Sequence, residues 1–146
     1  MAADRTAEVT WEGSLAEGQG RIDLKSSGLA NQMPVTWASR TEAPGGKTSP
    51  EEMLAAAHAS CFAMALSHGL AGAGNAPERL DVRATATFDK VGDGFKVTGM
   101  RLEVRGRVPG IDASAFQEAA NAAKEGCPIS QALKGNVDIS LEATLE

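Results

Sequence analysis

Two cysteines, Cys61 and Cys127, are the residues of this chain best suited to covalent chemistry. A thiol that loses its proton becomes a nucleophile, a metal ligand or the attacking group in disulfide exchange. Cys127 precedes Pro128, which suits the first turn of a helix, so unpaired backbone N–H groups and a positive dipole end are expected to lower its thiol pKa. Cys61 lies in an apolar segment, where the alternative is an inert packing thiol. Spacing alone leaves open whether the two sulfurs meet.

A thiolate in an apolar core needs a cation beside it. Arg40 is the best placed by sequence, because it ends a predicted strand and precedes the loop into the helix that carries Cys61. Arg21, at the start of another predicted strand, is the rival. For both, the alternative is a solvated arginine at a strand end.

Glu51 and Glu52 lie in the predicted first turn of the same helix, where carboxylates complement the dipole. Glu52 stands three residues after Ser49 and forms a capping box with it, which leaves Glu51 for another role. The ten residues from Glu51 to Cys61 span about 15 Å of a straight helix. Glu51 therefore acts either through Arg40 or on the thiol of a partner subunit across an antiparallel helix pair, and the sequence favours the second.

Metal and base chemistry are the remaining alternatives. His58 lies one turn before Cys61 and could serve it as a base, but the preferred interpretation is a core-edge histidine bonded to the backbone. A zinc site would need His58, Cys61, His68 and Cys127 together, and neither a Cys-x-x-Cys pair nor a His-Glu-x-x-His motif is present. The sequence predicts no metal and no cofactor.

The helix that carries Cys61 is the element around which the rest is organised. Ser49 is its expected cap, Pro50 suits its first position, and it is expected to stop near residues 69–74. Between residues 54 and 66 only His58 and Ser60 are clearly polar, which predicts a buried helix. This apolar run is shorter than the roughly 20 residues that a bilayer requires.

The other segments predict a single α+β domain over residues 1–146 with mostly antiparallel pairing. Because a few strands cover only one side of the central helix, a second copy is expected to cover the other, giving an intertwined homodimer. A phase change in the strand pattern at Gly99 predicts a β-bulge. Two further helices are predicted, one between the cap Asp112 and the stop Gly126, and one from Pro128 to Leu133. Strands are predicted at residues 7–12, 21–27, 35–39, 80–88, 95–104 and 137–145.

The composition is that of an ordinary globular protein, and its charge narrows the choice of partners. The 146 residues carry a net charge of −5, which argues against nucleic acid or an anionic membrane as the main partner. The first residues have no apolar signal-peptide core, so the expected location is the cytoplasm. In that reducing compartment a permanent disulfide is not expected.

Three segments together resemble the OsmC/Ohr family of thiol-dependent organic hydroperoxide reductases, specifically its OsmC branch. The Cys-Phe helix combined with the later Cys-Pro segment is the most specific part, and the resemblance covers nearly the whole chain. The three segments are KTSPEEMLAAAHASCFAMAL at residues 47–66, VPGIDAS at 108–114 and AKEGCPISQAL at 123–133.

The resemblance implies a role for each candidate residue. Cys61 is similar to the peroxidatic cysteine and Cys127 to the resolving one, while Arg40 is similar to the activating arginine and Glu51 to the carboxylate that positions it. In the Ohr branch the arginine comes from the N-terminal hairpin, where this chain has Arg21. The sequence WASRTE at residues 37–42 resembles the OsmC arrangement and favours Arg40. The family also implies an interlocked homodimer with two active sites at the subunit interface.

The implied activity is a peroxidase cycle without a bound cofactor, in oxidative or osmotic stress defence. It would prefer organic hydroperoxides to hydrogen peroxide, because Phe62, Met64 and alanines surround the thiol. An external dithiol would restore the two thiols, and a lipoyl-type group is one candidate. Two other functions stay open on the residues alone: a small-molecule or lipid-binding module with silent thiols, and a redox sensor without turnover.

Overall fold

Six strands and four helices, described over residues 1–146 by a computed structural model, form two units along the chain, Met1–Met53 and Leu54–Glu146. The two small sheets and one long helix confirm the predicted α+β class. The first unit contains β1 (Glu8–Glu12), β2 (Gln19–Asp23), β3 (Met33–Val35), α1 (Trp37–Thr41) and the first turn of α2 (Pro50–Gly72). The second contains the rest of α2 with β4 (Arg79–Val91), β5 (Gly94–Arg107), α3 (Ala113–Gly126), α4 (Pro128–Leu133) and β6 (Asp138–Leu145).

The first unit is built on an antiparallel sheet in which β2 lies between β1 and β3. Gly20 in β2 permits side chains from both neighbours to pack across its face. A Cβ at this position would lie 2.8 Å from ring atom Cε3 of Trp11 and 2.8 Å from Cγ1 of Val35. Any larger residue would push these two side chains apart.

The strand predicted at residues 35–39 is wrong beyond Val35, because a short helix follows. Thr36 Oγ1 accepts a hydrogen bond from the backbone N–H of Ser39 at 3.0 Å, and Ser39 Oγ accepts one from the N–H of Thr36 at 3.0 Å. This reciprocal capping box starts α1 and prevails over the β-propensity of the Val-Thr-Trp sequence. Arg40 therefore lies in the last turn of a helix and not at the end of a strand.

The start of α2 agrees only in part with the predicted capping box. Ser49 Oγ accepts a hydrogen bond from the backbone N–H of Glu52 at 3.1 Å, as a cap should. The carboxylate of Glu52, however, accepts a bond from the Thr48 hydroxyl at 2.6 Å. Glu52 thus steadies the residue before the cap. The helix ends at Gly72, within the predicted region.

The helix α2 has 23 residues and is, by length and composition alone, long and apolar enough to cross a membrane, whereas the predicted apolar run was too short. A core helix of a soluble protein can be equally long and apolar. Phe62, Leu66 and Leu70 of α2 are buried in the core of the second unit. Ser60 and Met64 are exposed, the latter by 67%. Within the single chain α2 is thus buried mainly on one side, as predicted, and the second copy that would cover the other side stays a prediction.

The second unit pairs β4 with β5 in an antiparallel hairpin and β5 with β6 in parallel. A parallel pair needs a crossover connection, which α3 and α4 supply. The predicted β-bulge is confirmed beside Gly99, since Thr87 pairs with Gly99 and Phe88 with Val97, which leaves Thr98 as the extra residue. The core between the sheet and the helices includes Leu102, Val104, Phe116 and Ala120.

Both helices of the crossover have the predicted limits. The carboxylate of Asp112 accepts a hydrogen bond from the backbone N–H of Ala115 at 2.8 Å and caps α3, which ends at Gly126. Cys127 is both the C-cap residue of α3 and the N-cap residue of α4. Its place between the two helices fixes its sulfur at their junction.

Replacement of Gly106 in β5 should destabilise the second unit. A Cβ there would lie 2.5 Å from Cζ of the buried Phe116, so the Gly106→Ala variant must displace a core ring. We expect the free energy of unfolding to fall by about 1–3 kcal/mol, measured by urea denaturation. Gly99→Ala in the same strand is the matched control, since its Cβ would meet no atom closer than 3.8 Å. Equal stability of the two variants would contradict the packing argument.

Candidate active site

The two cysteines lie together in the second unit. Cys61 is half-buried in the middle of α2, and Cys127 is fully buried at the start of α4. Both thiols are free, and they are close enough for a hydrogen bond between their side chains. The structure thus brings together two sulfurs that are 66 residues apart in the chain (127 minus 61).

The surroundings of the two thiols shift their pKa values in opposite directions. Burial raises the pKa of Cys61, the Cys127 side chain raises it further, and the backbone N–H of Ile129 only partly opposes this. Burial also acts to raise the pKa of Cys127. There, however, the Cys61 thiol, the backbone N–H groups of Ser130 and Ile129 and the Ser130 hydroxyl together outweigh it, so the pKa of Cys127 is lowered.

A dithiol of this kind loses its first proton as a pair, and the charge settles on the sulfur with more donors around it. In this structure that sulfur is Cys127. It makes no formal capping hydrogen bond at the start of α4, yet the N–H groups of the first turn act on it. The predicted lowering of the Cys127 pKa is confirmed, whereas Cys61 needs a further influence to become the thiolate.

Arg40 and Glu51 form a forked ion pair in the first unit. Arg40 Nε donates to both carboxylate oxygens of Glu51, at 3.0 and 3.1 Å, and Nη2 donates to Oε1 at 2.7 Å. Glu51 is only 7% exposed, and the guanidinium carbon lies 5.8 Å from the centre of the Trp37 ring. Both oxygens of Glu51 are thus occupied by an arginine of the same chain. This favours action through Arg40 over direct action on a partner's thiol.

Two hydrogen bonds and a β-bridge hold the backbone around Arg40 and Glu51. Ser39 Oγ donates to the carbonyl oxygen of Thr48 at 3.1 Å. The N–H of Thr48 donates to the carbonyl of Pro34 at 3.0 Å, beside a parallel bridge between Val35 and Thr48. These links join the residues before and after the loop at 42–47. They bring α1, which carries Arg40, next to the first turn of α2, which carries Glu51.

Arg21, the rival arginine, lies in an exposed pair of the N-terminal hairpin. Its Nη1 is 3.9 Å from Oε1 of Glu12, and both side chains are largely exposed, by 40% and 64%. Exposed pairs at such distances are screened by water and salt and hold a side chain loosely. Arg21 therefore lacks the fixed orientation that Arg40 has.

His58 is fully buried, and its partner differs from the predicted one. Its Nε2 lies 2.7 Å from Oγ of Ser130, whereas a backbone partner was expected. The other ring nitrogen, Nδ1, is buried without a hydrogen-bond partner, and burial lowers the pKa of the ring. Ser130 was missed by the sequence analysis. The available signal was its place three residues after Cys127, where a side chain reaches back to the cap of a helix.

The other histidine, His68, is exposed, and the structure does not gather ligands for a metal. No group of three or more histidine, cysteine, aspartate or glutamate side chains could hold a metal ion. The candidate side chains form two clusters: Arg40 with Glu51 in the first unit, and Cys61, Cys127, Ser130 and His58 in the second.

Known proteins resemble this chain in sequence and in structure. Residues 43–142 match the family model described as OsmC-like protein. The protein named Peroxiredoxin OsmC from Escherichia coli (strain K12) is 41% identical over 142 residues, which cover 97% of this chain and 98% of that relative. Organic hydroperoxide resistance protein OhrB from Bacillus subtilis (strain 168) is 34% identical over 94% of this chain and 96% of its own length. The crystal structure of OhrB matches with a TM-score of 0.74 and 31% identity, covering 95% and 98% of the two chains.

Proposed function

We propose a peroxidase function for this chain, which belongs to the OsmC-like protein family. Its substrates are organic hydroperoxides and, less efficiently, hydrogen peroxide, which it reduces to alcohols or water. The observation that carries this proposal is the pair of free thiols within hydrogen-bonding range of each other, Cys61 and Cys127. The names of the relatives, a peroxiredoxin and an organic hydroperoxide resistance protein, support the same chemistry.

The proposed cycle uses the two thiols in turn and no bound cofactor. The Cys61 thiolate attacks the terminal oxygen of the hydroperoxide, the O–O bond breaks, and the alkoxide takes a proton and leaves as the alcohol. Cys61 is then a sulfenic acid. The Cys127 sulfur displaces its hydroxyl, which gives water and the Cys61–Cys127 disulfide and protects Cys61 from further oxidation. An external dithiol, for which a lipoyl-type group is one candidate, restores both thiols by exchange.

Arg40 and Glu51 have proposed roles that follow from the charge on the thiol pair. The contacts of the pair itself favour the thiolate on Cys127. Reaction at Cys61 therefore requires a cation that draws the charge to Cys61, and Arg40 takes this role. The two-oxygen fork with Glu51 fixes the plane of the guanidinium, which can then bind the peroxide oxygens through its donors.

A mostly apolar cavity of about 200 Å³ in the first unit supports the preference for organic hydroperoxides. Arg40 is its only charged lining residue, so the carbon group of a substrate would rest on apolar walls near a guanidinium. The basis for this preference differs from the sequence argument, because Phe62 is enclosed in the core and Met64 is exposed. The cavity is lined by Val9, Trp11, Leu15, Ile22, Val35, Thr36, Trp37, Arg40 and Pro50.

The assembly and the location are also proposals. The exposed face of α2, with Ser60 and Met64, is the surface that a second copy would cover in an intertwined homodimer. We propose that the 146 residues act as one functional domain within that dimer. The names of the relatives, a peroxiredoxin and an organic hydroperoxide resistance protein, support oxidative stress defence, and a cytoplasmic location is part of the same proposal.

Separate substitutions of the two cysteines test the cycle. Cys61→Ser should abolish consumption of cumene hydroperoxide in the presence of a dithiol, because no sulfenic acid can form. Cys127→Ser should consume about one equivalent and then stop, because the sulfenic acid has no resolving thiol. Peroxide consumption and the mass of the intact protein measure the two results.

Thiol counts distinguish this function from its alternatives. The peroxidase loses both free thiols after one equivalent of organic hydroperoxide and regains them with dithiol. A binding module with silent thiols would keep both. A redox sensor would form the disulfide but fail to turn over with added dithiol. Either of the last two results would contradict the proposed function.

Arg40→Ala should transfer the thiolate from Cys61 to Cys127. We expect the apparent pKa of Cys61, measured from the rate of its alkylation against pH, to rise by about one unit or more, which is the usual effect of removing a neighbouring cation. At neutral pH its reaction with peroxide should slow correspondingly. Arg21→Ala is the matched control and should leave the apparent pKa of Cys61 and its rate of reaction with peroxide unchanged. An unchanged Cys61 titration in Arg40→Ala, with a shifted one in Arg21→Ala, would assign the role to Arg21.

Leu15→Asn should lower the catalytic efficiency on cumene hydroperoxide relative to hydrogen peroxide. Leu15 lines the cavity and is 59% exposed, so the substitution removes an apolar contact without opening the core. Loss of such a contact, worth about 1–1.5 kcal/mol, should reduce kcat/KM about tenfold for the bulky peroxide only. Leu29→Asn is the matched control, since Leu29 is 87% exposed and does not line the cavity. An equal loss on both peroxides would exclude the cavity as the substrate site.

A further inference from the structure

His58 is a buried titratable group for which the proposed cycle has no use. It is 0% exposed, in a helix whose neighbouring positions are mostly alanine, and its only hydrogen bond is to Ser130. Ser130 is itself 3% exposed, and its hydroxyl also reaches the thiol of Cys127. Three buried side chains therefore lie in sequence: the imidazole of His58, the hydroxyl bonded to it at 2.7 Å, and the thiol of Cys127, whose pKa that hydroxyl lowers.

The single hydroxyl proton of Ser130 limits how this row can be arranged. When Cys127 is a thiol that donates to Ser130 Oγ, the serine proton must point to Nε2 of His58, and the ring carries its own proton on Nδ1. When Cys127 is a thiolate, the serine proton turns to the sulfur, and Nε2 must donate to the serine oxygen. The two arrangements differ by one proton moved from the thiol to the imidazole.

We propose that His58 and Ser130 form a proton relay that serves Cys127 during disulfide formation. Ser130 accepts the thiol proton while its own proton passes to Nε2 of His58. Ser130 touches the reacting thiol, and His58 acts through Ser130 as a positioning residue and proton acceptor. The inference rests on the proposed function for its reaction, but the bond between His58 and Ser130 and the position of Ser130 three residues after Cys127 do not depend on it.

The step balances in atoms and charge. The Cys127 sulfur forms the S–S bond as the S–O bond of the Cys61 sulfenic acid breaks, and hydroxide leaves. The thiol proton, held by the relay, ends in the water formed from that hydroxide. Because His58 is enclosed, its charged form is costly once the negative charge on sulfur has gone. The ring therefore gives up its extra proton and returns to the neutral state.

The groups that titrate near His58 are few. Burial is the cause that lowers the pKa of His58. The titratable neighbours are the thiols of Cys61, one turn along α2, and Cys127 at the start of α4. Because the pKa of His58 is lowered from its ordinary value of 6.5, the ring is neutral at pH 7 and can accept a proton.

His58→Gln separates proton transfer from hydrogen bonding. The glutamine amide can bond to Ser130 but cannot take up a proton. After one equivalent of cumene hydroperoxide, we expect its disulfide to form about 10²-fold more slowly at pH 7, as for the loss of a general base. The wild-type rate should stay nearly constant from about pH 6 to 8. The variant rate should fall about tenfold per pH unit below the pKa of Cys127, because only the thiolate then reacts.

The controls use residues of the same elements. His68→Gln changes the exposed histidine of the same helix and should leave the rate unchanged. Ser130→Ala should be as slow as His58→Gln, and Ser130→Thr, which keeps the hydroxyl, should recover most of the rate. The sulfenic acid step, measured in the Cys127→Ser background, should be unaffected by His58→Gln. A wild-type rate and pH profile in His58→Gln would overturn the relay, as would an equal slowing of both steps.

A measurement on the unaltered histidine covers the case in which His58→Gln does not fold. In the folded Cys61→Ser protein, long-range ¹H–¹⁵N spectra should show the Nε2 signal of His58 shifting over the pH range in which Cys127 is alkylated. The signal of His68, which is exposed on the same helix, serves as the reference. A His58 signal that stays constant through the Cys127 titration would overturn the relay. This test uses no peroxide, so a failure of wild-type peroxide consumption would count against the proposed function alone.

Discussion

The contact between one half-buried and one buried thiol is the constraint on which the rest of this structure depends. Cys61 and Cys127 share a site in which one negative charge can be stabilised on either sulfur, and the local donors favour Cys127. The second unit is arranged to keep them together. The long helix α2 carries one thiol, and the junction of α3 and α4 carries the other. The parallel pairing of β5 and β6 requires this helical crossover, which fixes where the second thiol lies.

The first unit holds the flexible cationic side chain of Arg40 in one orientation. A free arginine loses rotamer entropy when it is fixed, so it needs several contacts at once. Arg40 has the two oxygens of Glu51 and the face of Trp37. The capping box of α1 and the links to Thr48 hold the backbone on both sides of this pair. Directional hydrogen bonds, more than apolar burial, determine this geometry.

The sequence predicts the elements well where the pattern is long, and less well where local side chains decide. The limits of α3 and α4 and the bulge beside Gly99 follow from caps, turn residues and alternation. The helix at Trp37–Thr41 does not, because two short hydroxyl side chains prevail over strand-forming residues there. The contact between Arg40 and Glu51 was an open alternative in the sequence. The bond between His58 and Ser130 joins residues 72 positions apart, a separation over which no spacing rule applies.

The unequal exposure of the two sulfurs has a consequence for how an oxidised pair would be opened. Cys127 is 0% exposed, whereas Cys61 is only half-buried. In the proposed cycle an incoming reductant would therefore attack Cys61, the accessible sulfur, and expel Cys127 as the leaving group. Thiols of low pKa leave faster in such exchanges, and the donors around Cys127 lower its pKa. The same N–H groups and hydroxyl that would prepare Cys127 to close the proposed disulfide would thus make that bond easy to open from the Cys61 side.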